Sequence, residues 1–144
     1  MGIIPWSPLA GGFLTGKYKK ENAKGAGRLS GANPFGDSKF TDRNWEILEV
    51  VGQIAKEQNA SISQIALAWV MNQPGVASTL IGASKLSQLE DNLGALHVEL
   101  TTDQTRRLSA ASALIPEFSD SLVSPYIRQL VYGGHAVKSW SDYT

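Results

Sequence analysis

The chain has 144 residues, of which 42% are hydrophobic and 18% charged, and its 13 basic residues balance 13 acidic ones. This balance gives no net attraction to nucleic acid or a membrane surface, and no stretch reaches the roughly 20 apolar residues of a membrane helix. Because cysteine is absent, a disulfide framework and a thiolate metal site are excluded. His97 and His135 lack a carboxylate at helical ligand spacing, so we expect no metal site. The first residues lack a signal-peptide pattern, which favours a cytoplasmic protein.

The first predicted element is a short buried strand at 3–6, an apolar run that stops before Ser7 and Pro8. A turn on small residues follows it. Residues 19–40, rich in Gly, Asn, Lys and Ser, predict a long loop, and loops of this length usually form lids or binding segments. Thr41 is a typical helix N-cap, and a one-sided apolar stripe predicts a helix from there to about residue 58.

A second helix, at 62–72, is predicted by the capping box Ser61-x-x-Gln64, and its apolar composition indicates burial. An uncharged strand is predicted at 76–81. Helices follow from 86 to about 96 and, after a second cap at Thr101, to about 113; the tail has one helical turn at 126–131. Two apolar strands joined by helices imply parallel pairing within a larger α/β sheet, because such strands need neighbours on both sides.

The end of the first strand carries one candidate site, at residues 6–18. Here the chain turns on small residues, so several backbone N–H groups become available to a single anion. Trp6 offers a flat face on which an aromatic ring can stack. Considered by itself, this stretch is better explained as an ordinary Gly-rich turn.

The end of the second strand carries the other candidate site. Ser84, Lys85 and the first amides of a helix form an anion site at the positive end of the helix dipole. Gln88, Asp91 and Asn92 fall on one polar face of that helix. Considered by themselves, these residues are better explained as an ordinary capped helix with a solvated face.

Together and in this order, the two segments resemble signature stretches of the aldo-keto reductase family. The first reads Trp-Ser-Pro-Leu-Ala-Gly-Gly-x-Leu-Thr-Gly-Lys-Tyr at 6–18, and the second reads Ile-Gly-Ala-Ser-Lys followed by Gln-Leu-x-Asp-Asn-Leu at 81–93. Ala-Leu-Ala-Trp-Val at 66–70 matches the helix between them. The resemblance implies an α/β fold: the C-terminal part of a (β/α)8 TIM barrel, with two parallel strands and about four helices at 1–115. Residues 116–144 are then a C-terminal tail.

The resemblance also implies NADP(H) as cofactor, held by segments 3–18 and 81–93, for hydride transfer between NADPH and a carbonyl. By position, Trp6 stacks on the nicotinamide, and Asp91 and Asn92 contact the adenine. Lys85 with Ser84 implies a preference for NADP(H) over NAD(H). The pyrophosphate side is assigned to Ser7, Leu9, Gly11, Gly12 and Leu14. The arm of the 2′-phosphate is assigned to Gly82, Ser84, Lys85 and Gln88.

The family's catalytic tyrosine, lysine, aspartate and histidine come from earlier segments that this sequence does not match. We therefore expect no catalytic residue in this chain, no turnover by the chain alone, and at most weak NADPH binding. The expected partner is the missing N-terminal barrel segment or a second copy. The first segment also resembles potassium-channel β subunits, so a non-catalytic binding module is the alternative, and a helical interaction protein with vestigial cofactor motifs is a third. No nucleic-acid partner and no membrane insertion are expected.

Overall fold

The structure, a computed structural model, describes residues 1–22, 29, 39–115, 122 and 124–135. The chain divides into two compact units, Met1–Ser112 and Ala113–Thr144. Short 3-10 helices in the first unit occupy Ala10–Thr15, Lys20–Asn22 and Gly94–His97. The α-helices of the first unit are α1 (Asp42–Gln58), α2 (Ile62–Met71), α3 (Leu86–Leu93) and α4 (Thr102–Ser112), and the second unit contains α5 (Pro125–Val131).

The helices begin where their capping residues predict. The hydroxyl of Thr41 accepts a hydrogen bond of 3.2 Å from the Asn44 amide at the start of α1. At α2 both bonds of the predicted capping box form: the Gln64 amide donates to Ser61 Oγ, and the Ser61 amide donates to Gln64 Oε1. Because these side chains satisfy amides that have no partner inside the helix, the predicted helix starts are confirmed.

The main core lies between α1, α2 and α4. Ile54 on α1 and Ile65 on α2 are both fully buried, and Leu108 contributes from α4. Burying one such isoleucine side chain stabilises the fold by about 1.5–3 kcal/mol. The predicted burial of α2 is confirmed, since Leu67 and Ala68 are also buried.

The predicted (β/α)8 fragment with two parallel strands is wrong for the part of the chain that the structure describes. That part is helical and contains no strand; the only β pairing in it is an isolated parallel bridge between Ile3 and Val76. Around this bridge the Ile3 amide donates to the Gly75 carbonyl at 2.7 Å, and the Ala77 amide donates to the Ile3 carbonyl at 2.9 Å. The two apolar segments therefore lie side by side and parallel, but without a sheet.

Pro5 explains why the pairing does not extend. In a parallel pair of strands, every second residue uses both its N–H and its carbonyl to bond the neighbouring strand. Ile3 is one such residue, so Pro5 should be the next. Proline has no N–H to donate. Its carbonyl still accepts a long bond of 3.3 Å from the Leu80 amide. A two-stranded pair interrupted after one rung is not stable by itself, because isolated pairs of strands are marginal even when intact.

The apolar side chains of these segments are exposed, contrary to the predicted burial. Ile3 is 54% exposed, and Ile4 and Leu80 are exposed to a similar degree. Together with Ile81 they form what we call the apolar edge. Burial of both faces requires covering elements, and the described residues supply none over this edge.

The second unit holds α5, where the tail was predicted to have one helical turn. Its described apolar side chains Tyr126, Leu130 and Val131 are exposed. In the parts of the chain that the structure describes, no helix combines the length and apolar character that crossing a membrane requires. Most of the loop predicted at 19–40 and much of the tail lie outside the described residues.

Candidate functional site

An open cleft of about 1050 Å³ lies between the end of the first apolar segment and the start of α3. One wall is the turn at residues 6–17, which we call the glycine turn; the other is formed by residues 80–92, which we call the helix wall. The bridge between Ile3 and Val76 brings the two walls together. The described lining residues are Trp6, Ser7, Pro8, Leu9, Gly11, Gly12, Thr15, Lys17, Ser63, Leu80, Ile81, Gly82, Ala83, Ser84, Gln88, Asp91 and Asn92.

The glycine turn has an unusual backbone. Ser7 and Ala10 adopt positive φ angles of 54° and 51°, which non-glycine residues rarely do. Gly12 has a φ of 93°, and a Cβ added there would lie 2.7 Å from the Nζ of Lys17. Glycine at this position therefore lets the lysine side chain fold closely over the turn. Backbone strain of this kind concentrates at functional sites, which makes the turn a candidate binding element.

Internal hydrogen bonds hold the glycine turn. The Ala10 amide donates to the Ser7 carbonyl at 2.8 Å, the Gly11 amide to Ser7 Oγ at 3.2 Å, and the Gly12 amide to the Leu9 carbonyl at 2.9 Å. The expectation that several amides of the turn are available to an anion is wrong for these three. Their bonds fix the shape of the wall instead, so an anion needs other donors.

Aromatic packing anchors the glycine turn on α1. Phe13 is 3% exposed, and its ring centroid lies 4.9 Å from that of Trp45 and 6.0 Å from that of Phe40. Tyr18 packs against Phe40 at 5.3 Å, and its hydroxyl accepts a buried hydrogen bond of 3.1 Å from the Leu29 amide. The turn is thus fixed on its buried side while its small residues line the cleft.

The helix wall begins with a local hydrogen-bond pattern. The amide and the hydroxyl of Ser84 both donate to Oε1 of Gln88, each at 3.1 Å. Lys85 is the N-cap of α3, and its side chain makes no capping bond. The first turn of α3 therefore begins without a side-chain cap, with the positive end of the helix dipole beside the cleft.

Asp91 and Asn92 differ in their environment. The Asp91 carboxylate accepts hydrogen bonds from Ser61 Oγ at 3.0 Å and from Gln64 Nε2 at 3.2 Å. Asn92 is 7% exposed, and among the described residues its side-chain amide has no hydrogen-bond partner. Thr79 Oγ1 is the one fully buried, unpaired polar side-chain atom among the described residues, so the amide atoms of Asn92 keep some contact with solvent and are available to a molecule in the cleft that Asn92 lines.

Two charged side chains line the cleft in the part of the chain that the structure describes. Lys17 lies on the glycine turn, with its Nζ 5.0 Å from the centroid of the Tyr18 ring. Asp91 lies on the helix wall and is already hydrogen-bonded to α2. Lys17 is therefore the described lining cation that can attract an anionic ligand.

Comparison with known proteins identifies the chain. The sequence model of the aldo/keto reductase family matches residues 1–113, a stretch that includes both walls of the cleft. The chain belongs to the aldo/keto reductase family. The resemblance drawn from the two motifs is thereby confirmed.

Several relatives of this chain carry descriptive names. It is 36% identical to a probable aldo-keto reductase of Glycine max over 77% of this chain and 32% of the relative. A probable voltage-gated potassium channel subunit beta of Oryza sativa subsp. japonica is 33% identical over 84% of this chain and 38% of its own length. An L-glyceraldehyde 3-phosphate reductase of Escherichia coli is 34% identical over 67% of this chain. The chain spans about a third of the length of these relatives.

The cleft of this family member is lined by all the cofactor residues predicted from its motifs except two. Leu14 packs against the two hydrophobic clusters of the first unit instead. Lys85 is exposed outside the lining, in an extended conformation with φ −136° and ψ 147°. Whether the other predicted residues contact a cofactor stays a prediction.

Sequence reasoning missed three polar residues of the lining: Thr15, Lys17 and Ser63. Lys17 was part of the motif but received no role. Gly16, in the left-handed region with a φ of 74°, reverses the chain just before Lys17, and this is the signal that it folds back to the turn. Ser63 lies in the first turn of α2. The sequence pattern there predicts a capping role for its neighbour Gln64 and no role for Ser63.

Proposed function

We propose that this chain is the NADP(H)-binding portion of an aldo-keto reductase and that the cofactor occupies the cleft. When bound, NADPH supplies the hydride that reduces a carbonyl. The residues of this chain bind and orient the cofactor in this proposal, and the chain alone does not catalyse turnover.

The buried side-chain amide of Asn92 carries the proposal. An amide offers one acceptor and two donors, and the adenine edge offers a matching amino group and ring nitrogen. Since Asn92 is 7% exposed and has no hydrogen-bond partner among the described residues, a bound adenine would satisfy it. Because the amide atoms of Asn92 are not fully buried, water can satisfy them when no ligand is bound, and pairing with adenine contributes only the net worth of a hydrogen bond, about 0.5–1.5 kcal/mol each.

The part of the cleft lined by Trp6 suits the nicotinamide. Trp6 lines the cleft and is 67% exposed, so one face of its indole ring is accessible for stacking. Ser7, Leu9 and the two glycines of the turn follow it along the wall, where a pyrophosphate would lie. Small residues there allow close approach of the backbone, although the bonded amides leave anion recognition to other donors.

Lys17 and the start of α3 are the proposed phosphate-binding groups. The Lys17 ammonium lines the cleft, and the uncapped first turn of α3 contributes its amides and dipole. Ser84 adds a hydroxyl if its bond to Gln88 Oε1 is exchanged for one to the phosphate. The preference for NADP(H) over NAD(H) is retained as a proposal on Ser84, because Lys85 lies outside the described lining and Lys17 lies on the wall of the pyrophosphate, which both cofactors share.

The positions of the described tyrosines support the proposal that the chain alone does not catalyse turnover. Reduction of a carbonyl needs an acid within hydrogen-bond reach of the developing alkoxide. Tyr18 is 4% exposed and its hydroxyl is engaged by the Leu29 amide. No tyrosine belongs to the described lining of the cleft. The general acid is therefore proposed to come from further polypeptide.

The apolar edge is the proposed contact for that polypeptide. Ile3, Ile4 and Leu80 are each more than half exposed, which is a poor arrangement for apolar side chains in water. The relatives are about three times as long as the matched region. We therefore propose a further segment of aldo-keto reductase sequence as the occupant. Self-association of this chain, measured by analytical ultracentrifugation, would argue for a second copy instead.

A potassium-channel β-subunit type of binding module is the second candidate, favoured by the match to the rice relative over 84% of this chain. Adding the N-terminal two-thirds of the soybean relative distinguishes the two. NADPH-dependent carbonyl reduction by the mixture supports the enzyme. Cofactor binding without turnover in the same mixture supports the module.

Substitution of Lys17 tests the assignment of the cleft. Lys17→Ala is expected to raise the dissociation constant for NADPH about tenfold, because one charge-assisted phosphate contact is lost. Lys19→Ala is the matched control, since Lys19 is exposed in the same loop and lies outside the lining. Equal constants for the two variants in a shift titration by nuclear magnetic resonance would contradict the proposed phosphate contact.

A further inference from the structure

Two helices of the first unit begin with the same device. At α2, the Ser61 amide donates to Gln64 Oε1 and the Gln64 amide donates to Ser61 Oγ. At α4, the Thr101 amide donates to Gln104 Oε1 at 3.1 Å, and the Gln104 amide donates to Thr101 Oγ1 at 3.2 Å. In both cases the Nε2 of the glutamine then donates to a carboxylate of another helix. Gln64 reaches Asp91 on α3, at the cleft, whereas Gln104 reaches Glu57 on α1, away from the cleft.

The Gln64 side chain takes part in three hydrogen bonds, two of which connect α2 to α3. Its Nε2 donates to the Asp91 backbone carbonyl at 2.9 Å and to Asp91 Oδ1 at 3.2 Å, and its Oε1 accepts from the Ser61 amide at 3.0 Å. Ser61 adds a second bridge, from its Oγ to Asp91 Oδ2 at 3.0 Å. Gly94 lies directly against this joint, because a Cβ there would collide with the Gln64 amide nitrogen.

The outer side of α3 has little else to hold it. Leu86 is 70% exposed, and Leu89 and Leu93 are also exposed. The position of α3 therefore depends on the polar joint to α2 and on the buried Ala95, which lies in the short helix that follows α3 directly. Because Asn92 follows Asp91 directly, displacement of α3 would move Asn92 with respect to the glycine turn.

We propose that Gln64 is a positioning residue for the nucleotide in the cleft, acting through Asp91. The Asp91 carboxylate serves as the α3 half of the joint, and Asn92 is left to contact the base. Gln64 itself is outside the described lining, so it touches no ligand directly. This inference rests on the proposed function for its effect on cofactor affinity, but not for its effect on α3.

Gln64→Glu tests the joint without removing the cap. A glutamate keeps the acceptor for the Ser61 amide and replaces only the donor that faces Asp91, since Glu is itself a capping-box residue. Gln104→Glu is the matched control, because it makes the same change opposite Glu57. Gln64→Met, which adds no charge, is the second variant should the first fail to fold.

Two measurements on the full chain decide the inference. Hydrogen exchange of the α3 amides, compared with the same amides in the wild-type chain, is expected to accelerate about tenfold in Gln64→Glu and to be unchanged in Gln104→Glu. The NADPH dissociation constant is expected to rise about tenfold in the first variant only. Unchanged α3 exchange, or equal affinity loss in both variants, overturns the inference. If the wild-type chain does not bind NADPH, the proposed function fails and α3 exchange still decides whether Gln64 positions α3.

Discussion

Gln104 on α4 donates a hydrogen bond of 3.0 Å from its Nε2 to Oε2 of Glu57 on α1. Arg107, one turn further along α4, donates to both oxygens of the same carboxylate at 2.8 and 3.0 Å. These contacts join the two helices that flank the main core. They lower the pKa of the Glu57 carboxyl from its ordinary value of 4.5, with the Gln104 hydrogen bond as the largest cause and the Arg107 hydrogen bond next.

The lowered pKa of Glu57 predicts a pH-dependent contribution to stability. A carboxyl whose pKa is lower in the folded chain stabilises the fold above its unfolded pKa, and this contribution is lost as the pH falls through the folded pKa. Thermal unfolding of wild type and Glu57→Gln should therefore differ at pH 7 and converge progressively as the pH falls below 4.5. A difference in melting temperature that stays constant down to pH 3 would contradict this.

Thr41→Ala is expected to lower the free energy of unfolding by about 1 kcal/mol, because the Asn44 amide loses its capping acceptor. Thr102→Ala is the control. Thr102 is the first residue of α4 and is exposed, and alanine favours helix, so this variant should equal or slightly exceed wild type. Urea denaturation followed by circular dichroism measures both. Equal losses in the two variants would mean that the Thr41 cap adds nothing.

Ile54→Val is expected to cost about 1 kcal/mol, because it removes one methylene from a fully buried position. Ile4→Val makes the same chemical change at a residue that is 58% exposed, and it should leave stability within about 0.5 kcal/mol of wild type. The comparison is made by chemical denaturation of the two variants. A larger loss at Ile4 would show that the apolar edge is covered in solution.

Tyr18→Phe is expected to destabilise the chain by about 1–2 kcal/mol, since the buried Leu29 amide loses its acceptor. Tyr132→Phe removes a hydroxyl from a residue that is 47% exposed in the second unit, and it serves as the control. Wild-type stability in Tyr18→Phe would rule out a stabilising role for this bond.

The helices were predictable because their signals are local. Thr41, Ser61 and Thr101 each cap amides within three residues, and the apolar stripe of α1 faces α2 and α4 as its spacing indicates. The outcome for the two strands was not predictable, because strand pairing depends on partners elsewhere in the chain. It also depends on individual N–H donors, of which one missing donor can stop the ladder. Pro5 alone removes the next rung after Ile3, and the apolar character of residues 3–6 and 76–81 does not reveal that loss.

The candidate site was predictable as a pair of motifs but not in its details. Leu14 looked like its neighbours in sequence, yet the turn points it into the core. Lys85 was assigned from the charge it brings to a helix start, but an N-cap residue in extended conformation directs its side chain elsewhere. Conversely, only the folded turn brings Lys17 over Gly12. The bonds from Ser61 and Gln64 to Asp91 join residues about 30 positions apart, which no local pattern encodes.

Titration of the isotope-labelled chain with NADPH, followed by nuclear magnetic resonance, tests the central proposal most directly. We expect weak, saturable shifts in the amides of residues 6–17 and 82–92 and none in α4, with Asn92→Ala weakening the binding and Asn72→Ala leaving it unchanged. Absence of saturable shifts up to millimolar NADPH, or shifts spread evenly over the chain, would contradict a cofactor site in this cleft.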